Sequence, residues 1–325
     1  MIQYLYLGRM DYGEALRLQQ ELVALRTAAR IGNVLLLLEH PPVLTLGRNA
    51  KRANILASDE LLAQRGVTLH EINRGGDVTY HGPGQLIGYP IFDLRSLRNP
   101  KSGTPALAGG GGRNRLGPVD FVRLMEEALI RVCGEFGVSA GRICGLTGVW
   151  CGLPSGPAPG SQTCDSPQLS SKTLPPAGRE RKIAAIGIHV ARGVTSHGFA
   201  FNVTTDLRDF ALINPCGITD RPVTSLEREI AGQDKRRATG QVADPGRLPN
   251  LESLAHMAAR EFGLVFKEPV ARVESLAALR ALADAAPDSA PSEISTQEFP
   301  AQDTPLEIPP EIERLRHSKD RPVSA

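Results

Sequence analysis

Arg74–Gln85 reads RGGDVTYHGPGQ. Five of these twelve residues are Gly or Pro, and a single His stands among them. Glycine permits sharp turns and close backbone approach, and proline fixes φ. That chemistry explains a turn but not a histidine inside it. The stretch joins two strand-like runs, Val67–Ile72 before it and the apolar Leu86–Leu94 after it. Further out, strand and helix patterns mix without a repeat. Met1–Leu7 reads as a strand and Asp11–Arg30 as a helix with a D-x-x-E capping box. Val34–Leu38 reads as a buried strand that His40-Pro41-Pro42 ends, and Val43–Leu46 as its resumption. Ser58–Gln64 and Pro118–Phe136 read as helices. Strands are predicted over 138–143, 148–151, 183–190 and 198–203, then helices over 224–230, capped by Thr224 and Glu227, and 251–262. The pattern specifies an α+β core.

Three segments fit no packed core. Residues 99–117 contain GGGG, 152–181 are rich in Pro, Ser and Gly, and 283–325 carry seven prolines and few large apolar residues. A catalytic domain over 1–282 with two flexible insertions, followed by a disordered tail, is the expected organisation.

Composition excludes several classes. Lys and Arg number 37 against 35 Asp and Glu, a net charge of +2 with no basic block, so no nucleic-acid surface is indicated. No apolar run is long enough to span a bilayer, and no signal peptide is visible, so cytoplasmic residence and no membrane partner are expected. The five cysteines form no C-x-x-C pair, and the odd count argues against a disulfide framework or structural zinc. No heptad or apolar stripe marks an oligomer interface, so a monomer is expected.

Candidate chemistry lies in a few places. No G-x-x-x-x-G-K-[ST] occurs, and Gly109–Gly112 follows no strand. Gly137–Gly141 matches G-x-S-x-G, but the order there is helix then strand, the reverse of a nucleophile elbow. Cys216 lies in I-N-P-C-G-I, where Pro215 and Gly217 hold a thiol on a turn. It is either a buried small hydrophobe or a reactive thiol in an electropositive niche. Lys182 opens the apolar strand K-I-A-A-I-G-I-H, as a snorkelling edge residue or a desolvated amine able to take a proton. Among His40, His81, His189 and His197, no two lie at i, i+2 or i, i+4, which argues against a metal pair.

Together these segments carry a resemblance. RGGDVTYHGPGQLIGYPIFDL, TGVW, RKIAAIGIHVARGVTSHGFAFNV, NPCGI and the earlier EHPPVLTLGR closely resemble the octanoyltransferases of lipoate biosynthesis. The resemblance runs from about Met1 to Leu264, interrupted by the insertions. It implies a mixed sheet flanked by helices, the biotin/lipoate protein ligase-like catalytic fold. It also implies transfer of an octanoyl group from octanoyl-acyl carrier protein to a lysine of lipoyl domains, without ATP, cofactor or metal. The acceptors implied are lipoyl domains of 2-oxoacid dehydrogenase E2 subunits and the glycine cleavage H protein. Cys216 and Lys182 fall on the catalytic pair. Substrate-binding positions expected on the same basis are Arg74, Gly75, Gly76, Tyr80, His81, Gly82, His40, Ala185, Ile186, Gly187, His197 and Gly198. Leu86, Ile186 and Ile188 are candidate walls for the acyl chain or core residues. Two rivals are an ATP-dependent lipoate or biotin ligase on the same fold, which lacks the P-C-G-I cysteine, and a non-catalytic lipoyl-domain binder. The long 152–181 insertion departs from the short turn usual in the family, and Cys151 replaces an apolar residue.

Overall fold

Asn33–Glu39 is buried at every position, because its alternate side chains enter two different cores. A strand covered on both faces needs no polar alternation, which is why Val34–Leu38 within it is a continuous apolar run. In the computed structural model, which describes residues 1–99, 115–153, 178–214, 221–236 and 248–285, this strand lies inside the main sheet. In chain order the elements are β1 (Ile2–Arg9), α1 (Tyr12–Thr27), β2 (Asn33–Glu39), β3 (Val43–Leu46), α2 (Asp59–Gln64), β4 (Thr68–Glu71), β5 (Val78–His81) and β6 (Gln85–Ile91). They continue with α3 (Pro118–Glu135), β7 (Ala140–Ile143), β8 (Leu146–Cys151), β9 (Arg181–Ala191), β10 (Val194–Asn202), α4 (Leu226–Arg236), α5 (Leu251–Phe266), β11 (Val270–Arg272) and α6 (Leu276–Ala285).

Eight strands form one sheet in the order β11-β1-β2-β6-β10-β9-β8-β7. β1 is parallel to both neighbours and the remaining pairs are antiparallel, so the sheet is mixed. Leu35 and Leu37 of β2 pack on the side of α3 and α5, while Val34, Leu36 and Leu38 pack on the side of α1 and α6. A second sheet, β4-β3-β5, has its own small core with Phe210 and Leu212. The α+β class and the mixed sheet with flanking helices are as expected.

Several local expectations change. V-T-Y-H, expected inside a turn motif, is a strand that pairs with β3. Helix α6 was not expected, and it carries the packed chain to Ala285, past the expected tail start at Ala283, which is itself 2% exposed. Helix α4 begins at Leu226, and Ser225 Oγ accepts from Arg228 N, so Ser225 takes the cap expected of Thr224. The hydroxyl of Thr224 instead donates to Glu229. The helix-then-strand order around Gly137 holds. Cys144 is disulfide-bonded, whereas the odd cysteine count had argued against a disulfide framework. Residues 100–114 and 154–177, most of the two expected insertions, and the tail beyond Ala285 lie outside the described residues. No helix among the described residues is long and apolar enough to cross a membrane.

Candidate active site

Three sequence segments meet at one small cavity. Thr79 and Gln85 reach it from the RGGDVTYHGPGQ stretch, Lys182 and Ala185 from β9, and Ala200 and Asn202 from the end of β10. Phe210 and Val223 close it, and its volume is about 20 Å³, room for roughly one water. Strand register brings these together, because β10 pairs with β9 on one side and with β6 on the other.

Lys182 is held at backbone level. Its N–H donates to Pro222 O at 2.9 Å, and Thr224 N–H donates to Lys182 O at 2.9 Å. Its Nζ lies 4.7 Å from the centroid of the Trp150 ring. Cys216 lies outside the described residues, as does all of 215–220. The described chain on either side is anchored: Asn214 N–H donates to Asn54 O at 2.7 Å, and Arg221 is buried.

A line of side-chain amides connects His81 to this clamp. Gln85 Nε2 donates to Asn202 Oδ1 at 2.8 Å and to Tyr80 O, and Asn202 Nδ2 donates to Thr224 O at 2.9 Å. Backbone carbonyls can only accept, so both amide orientations are fixed. Gln85 Oε1 therefore faces His81 Nδ1 at 2.8 Å and accepts the hydrogen bond from its N–H. Nε2 of His81 is left as an acceptor for the Thr45 hydroxyl at 3.4 Å. Burial, with His40 next in weight, lowers the His81 pKa to about 3, so the ring is neutral. Both nitrogens of this neutral imidazole are engaged, so the ring is held in one orientation.

The Arg74–Gly76 turn is seated against β9. Gly75 N–H donates to Ile188 O at 3.0 Å, and a Cβ on Gly187 would stand 2.8 Å from Gly75 O. Only a residue without a side chain allows that approach. Gly187 pairs with Gly198 across β9 and β10. Arg74 is buried, and its guanidinium donates to Thr45 O at 2.8 Å, to Thr45 Oγ1 and to Gly75 O. His197 lies on the same side: its Nε2 donates to Asn73 at 2.8 Å, and its backbone N–H to Gln19 at 2.8 Å. Burial lowers its pKa to about 3.

Other expected site residues serve at one remove. His40 donates from Nδ1 to Met10 O at 2.7 Å and accepts from Tyr89 at 2.7 Å, and burial lowers its pKa to about 4. Its ring clusters with those of Tyr12 and His81, at centroid distances of 5.1 Å and 6.1 Å. The Tyr80 hydroxyl donates to Asp209 at 2.7 Å, and its ring packs on Phe210, which lines the cavity. A Cβ on Gly82 would overlap the Tyr80 ring. Ile186 and Ile188 pack with Leu86 against the α3/α5 core. Sequence reasoning missed Thr79, Asn202, Gln85 and Trp150 as site residues. The signal was present for the last two, since Gln85 closes H-G-P-G-Q and Trp150 closes T-G-V-W. Cys133 and Cys151 are buried, and burial pushes the Cys151 thiol up to about 12, so neither is a nucleophile.

Three of the buried histidines, His40, His81 and His197, make stability fall in acid. Their unfolded pKa is near 6.5, and their folded values are about 4, 3 and 3. Between those limits the unfolded chain binds more protons, so stability is complete above about pH 6.5 and is lost as pH falls toward 3. Each histidine contributes a slope of about 1.4 kcal/mol per pH unit. Denaturant titrations at pH 7 and pH 5 should show a large loss at the lower pH, and equal stability would contradict the buried neutral state.

Residues 11–240 match the family model described as the lipoyl protein ligase A/B catalytic domain. An octanoyltransferase of Acidobacterium capsulatum is 54% identical over 275 residues, covering 85% of this chain and 94% of that protein. One from Koribacter versatilis is 49% identical over 276 residues, covering 85% and 88%. This chain is a member of the octanoyltransferase family, and so an acyltransferase. Among solved structures, lipoate-protein ligase A bound with ATP aligns with a TM-score of 0.51 at 14% identity, over 87% of this chain and 92% of that one. An archaeal bipartite lipoate protein ligase with its E2 lipoyl domain, from Thermoplasma acidophilum, aligns at 0.50 and 14%, over 87% and 89%. At that identity the likeness shows the fold alone. Octanoyltransferases and ligases share it, so the fold does not separate them; the close relatives do. Among the described residues no cluster of His, Cys, Asp or Glu is arranged to hold a metal.

Proposed function

We propose that this octanoyltransferase takes its acyl group from octanoyl-acyl carrier protein, holds it as a thioester on Cys216, and delivers it to a lysine of a lipoyl domain in the cytoplasm. The observation that carries the reading is the clamp on Lys182. The segment that follows Cys216 by six residues bonds directly to the backbone of Lys182, beside the cavity. The family match over 11–240 also spans both residues. Lys182 takes the thiol proton, and the Cys216 thiolate attacks the donor carbonyl. The bond to the carrier sulfur breaks, and that thiolate leaves with the proton from Lys182. The exchange replaces one thioester by another, so it needs no ATP. The acceptor amine then attacks the acyl-enzyme, loses a proton to Lys182, and expels Cys216 as an amide forms. The amide is far more stable than the thioester and drives the sequence forward.

Binding follows from the same geometry. The Gly75-Gly76 turn sits against Gly187, whose register partner is Gly198, and the substrate runs along this backbone free of side chains, while Ala185 keeps the β9 side of the cavity small. Arg74, His81, Gly82, His40, Tyr80 and His197 hold those walls in place. Ile186 supports the wall from the core side. The acceptors are lipoyl domains of 2-oxoacid dehydrogenase E2 subunits and the glycine cleavage H protein; the Thermoplasma neighbour, solved with its E2 lipoyl domain, supports that class. No metal or cofactor enters the scheme. The test mixes octanoyl carrier protein, a lipoyl domain and the enzyme with a thiol reductant and no nucleotide. Octanoylated lipoyl domain is expected, and strict dependence on ATP would overturn the reading in favour of a ligase.

A further inference from the structure

The side chain of Lys182 rests on an aromatic face that the reaction scheme above does not use. Lys182 and Trp150 are register partners across β8 and β9, and a shift between Val149 and Trp150 places the indole, not Cys151, opposite the lysine. The 4.7 Å from Nζ to the ring centroid lies within the range of cation–π attraction. Trp150 is 1% exposed, so the contact is screened from water. Its approach depends on Gly148, whose φ of +125° and missing Cβ leave room for Ala184 O at 2.5 Å and for Lys182 Cε at 3.4 Å. Gly148 is held in turn, since its N–H donates at 3.0 Å to Glu126, a fully buried carboxylate bonded to Arg123 and Arg142.

The choice of tryptophan has a cost. Its buried Nε1–H has no hydrogen-bond partner, a penalty that phenylalanine would avoid at this position. Tryptophan is also the strongest aromatic partner for a cation. Among the described residues lining the cavity, Lys182 is the one with a formal charge.

We propose that Trp150 is a positioning residue for acyl transfer, holding the Lys182 side chain over its indole face and favouring the ammonium form. An ammonium held there keeps the proton that the Cys216 thiol gives up, and so favours the thiolate. The inference rests on the Cys216–Lys182 reading.

The chain contains a single tryptophan, which permits a clean test. Biosynthetic replacement with mono-, di- and trifluorinated tryptophan changes position 150 alone and weakens the ring's attraction stepwise while nearly preserving its shape. Iodoacetamide alkylation of Cys216 and single-turnover octanoylation should both slow with each fluorine, by roughly tenfold across the series. In Lys182→Ala the alkylation rate should not respond to fluorine. Trp150→Leu should slow both reactions at least as much as trifluorination, and Trp150→Phe should recover most of the loss. A flat fluorine series, or the same fluorine dependence in Lys182→Ala, overturns the proposal even if Trp150→Leu does not fold. Normal octanoylation by both Cys216→Ser and Lys182→Ala would instead overturn the underlying site reading.

Discussion

Cys216→Ser is expected to lower octanoyl transfer by roughly three orders of magnitude or more, as loss of a nucleophile does elsewhere. Serine keeps the size of the side chain but not its chemistry. A thiolate forms readily beside a basic group, whereas an alkoxide does not. Cys133 and Cys151 offer no substitute, because both are buried and burial disfavours their thiolates. Folding should be little changed, so matched thermal denaturation separates lost chemistry from lost structure. Steady-state transfer to a lipoyl domain reads the effect, and activity within tenfold of the parent would remove Cys216 from the reaction.

Lys182→Ala is expected to slow acylation by roughly two orders of magnitude or more, the usual contribution of a positioned general base. The substitution leaves the backbone clamp intact, because Pro222 and Thr224 bond to main-chain atoms of residue 182. It removes the amine above Trp150 together with the chain that carries it. The loss should therefore fall on the chemical step. Single-turnover measurements should show a slow burst with donor binding nearly unchanged; an unchanged burst rate would show that another group moves the proton.

Much of the fold was legible because burial leaves a direct trace in sequence. The continuous V-L-L-L-L run marks a strand covered on both faces, and Asp11 marks the start of α1, accepting from Gly13 N and Glu14 N. Strand β5 was hidden because its four residues lie between Gly-Gly and Gly-Pro-Gly, whose turn signal dominates a short window. Helix α6 was missed because its small Ala-rich face directly precedes a proline-rich stretch. Adjacent Thr224 and Ser225 are equally good caps by residue type, and the hydroxyl of Thr224 is diverted by Glu229.

The site was legible where it resides in motifs. Lys182 and Ala185 line one small cavity with Gln85, the last residue of H-G-P-G-Q. The parts that sequence could not give are relations between distant residues. Asn202 reads as the end of a strand until Gln85 and Thr224 O are seen on either side of it. Tyr89 reads as a core aromatic until its hydroxyl is found on His40. Trp150 is one of many buried rings until strand register sets it against Lys182.

The central claim is an octanoyl group carried on Cys216. Incubation with octanoyl carrier protein, under reductant and without acceptor, followed by intact mass and peptide mapping, addresses it directly. A single octanoyl adduct on the peptide containing Cys216, labile to hydroxylamine and discharged by a lipoyl domain, is the predicted result. An adduct that persists undiminished in Cys216→Ser, or transfer that proceeds with no adduct on that peptide, would contradict it.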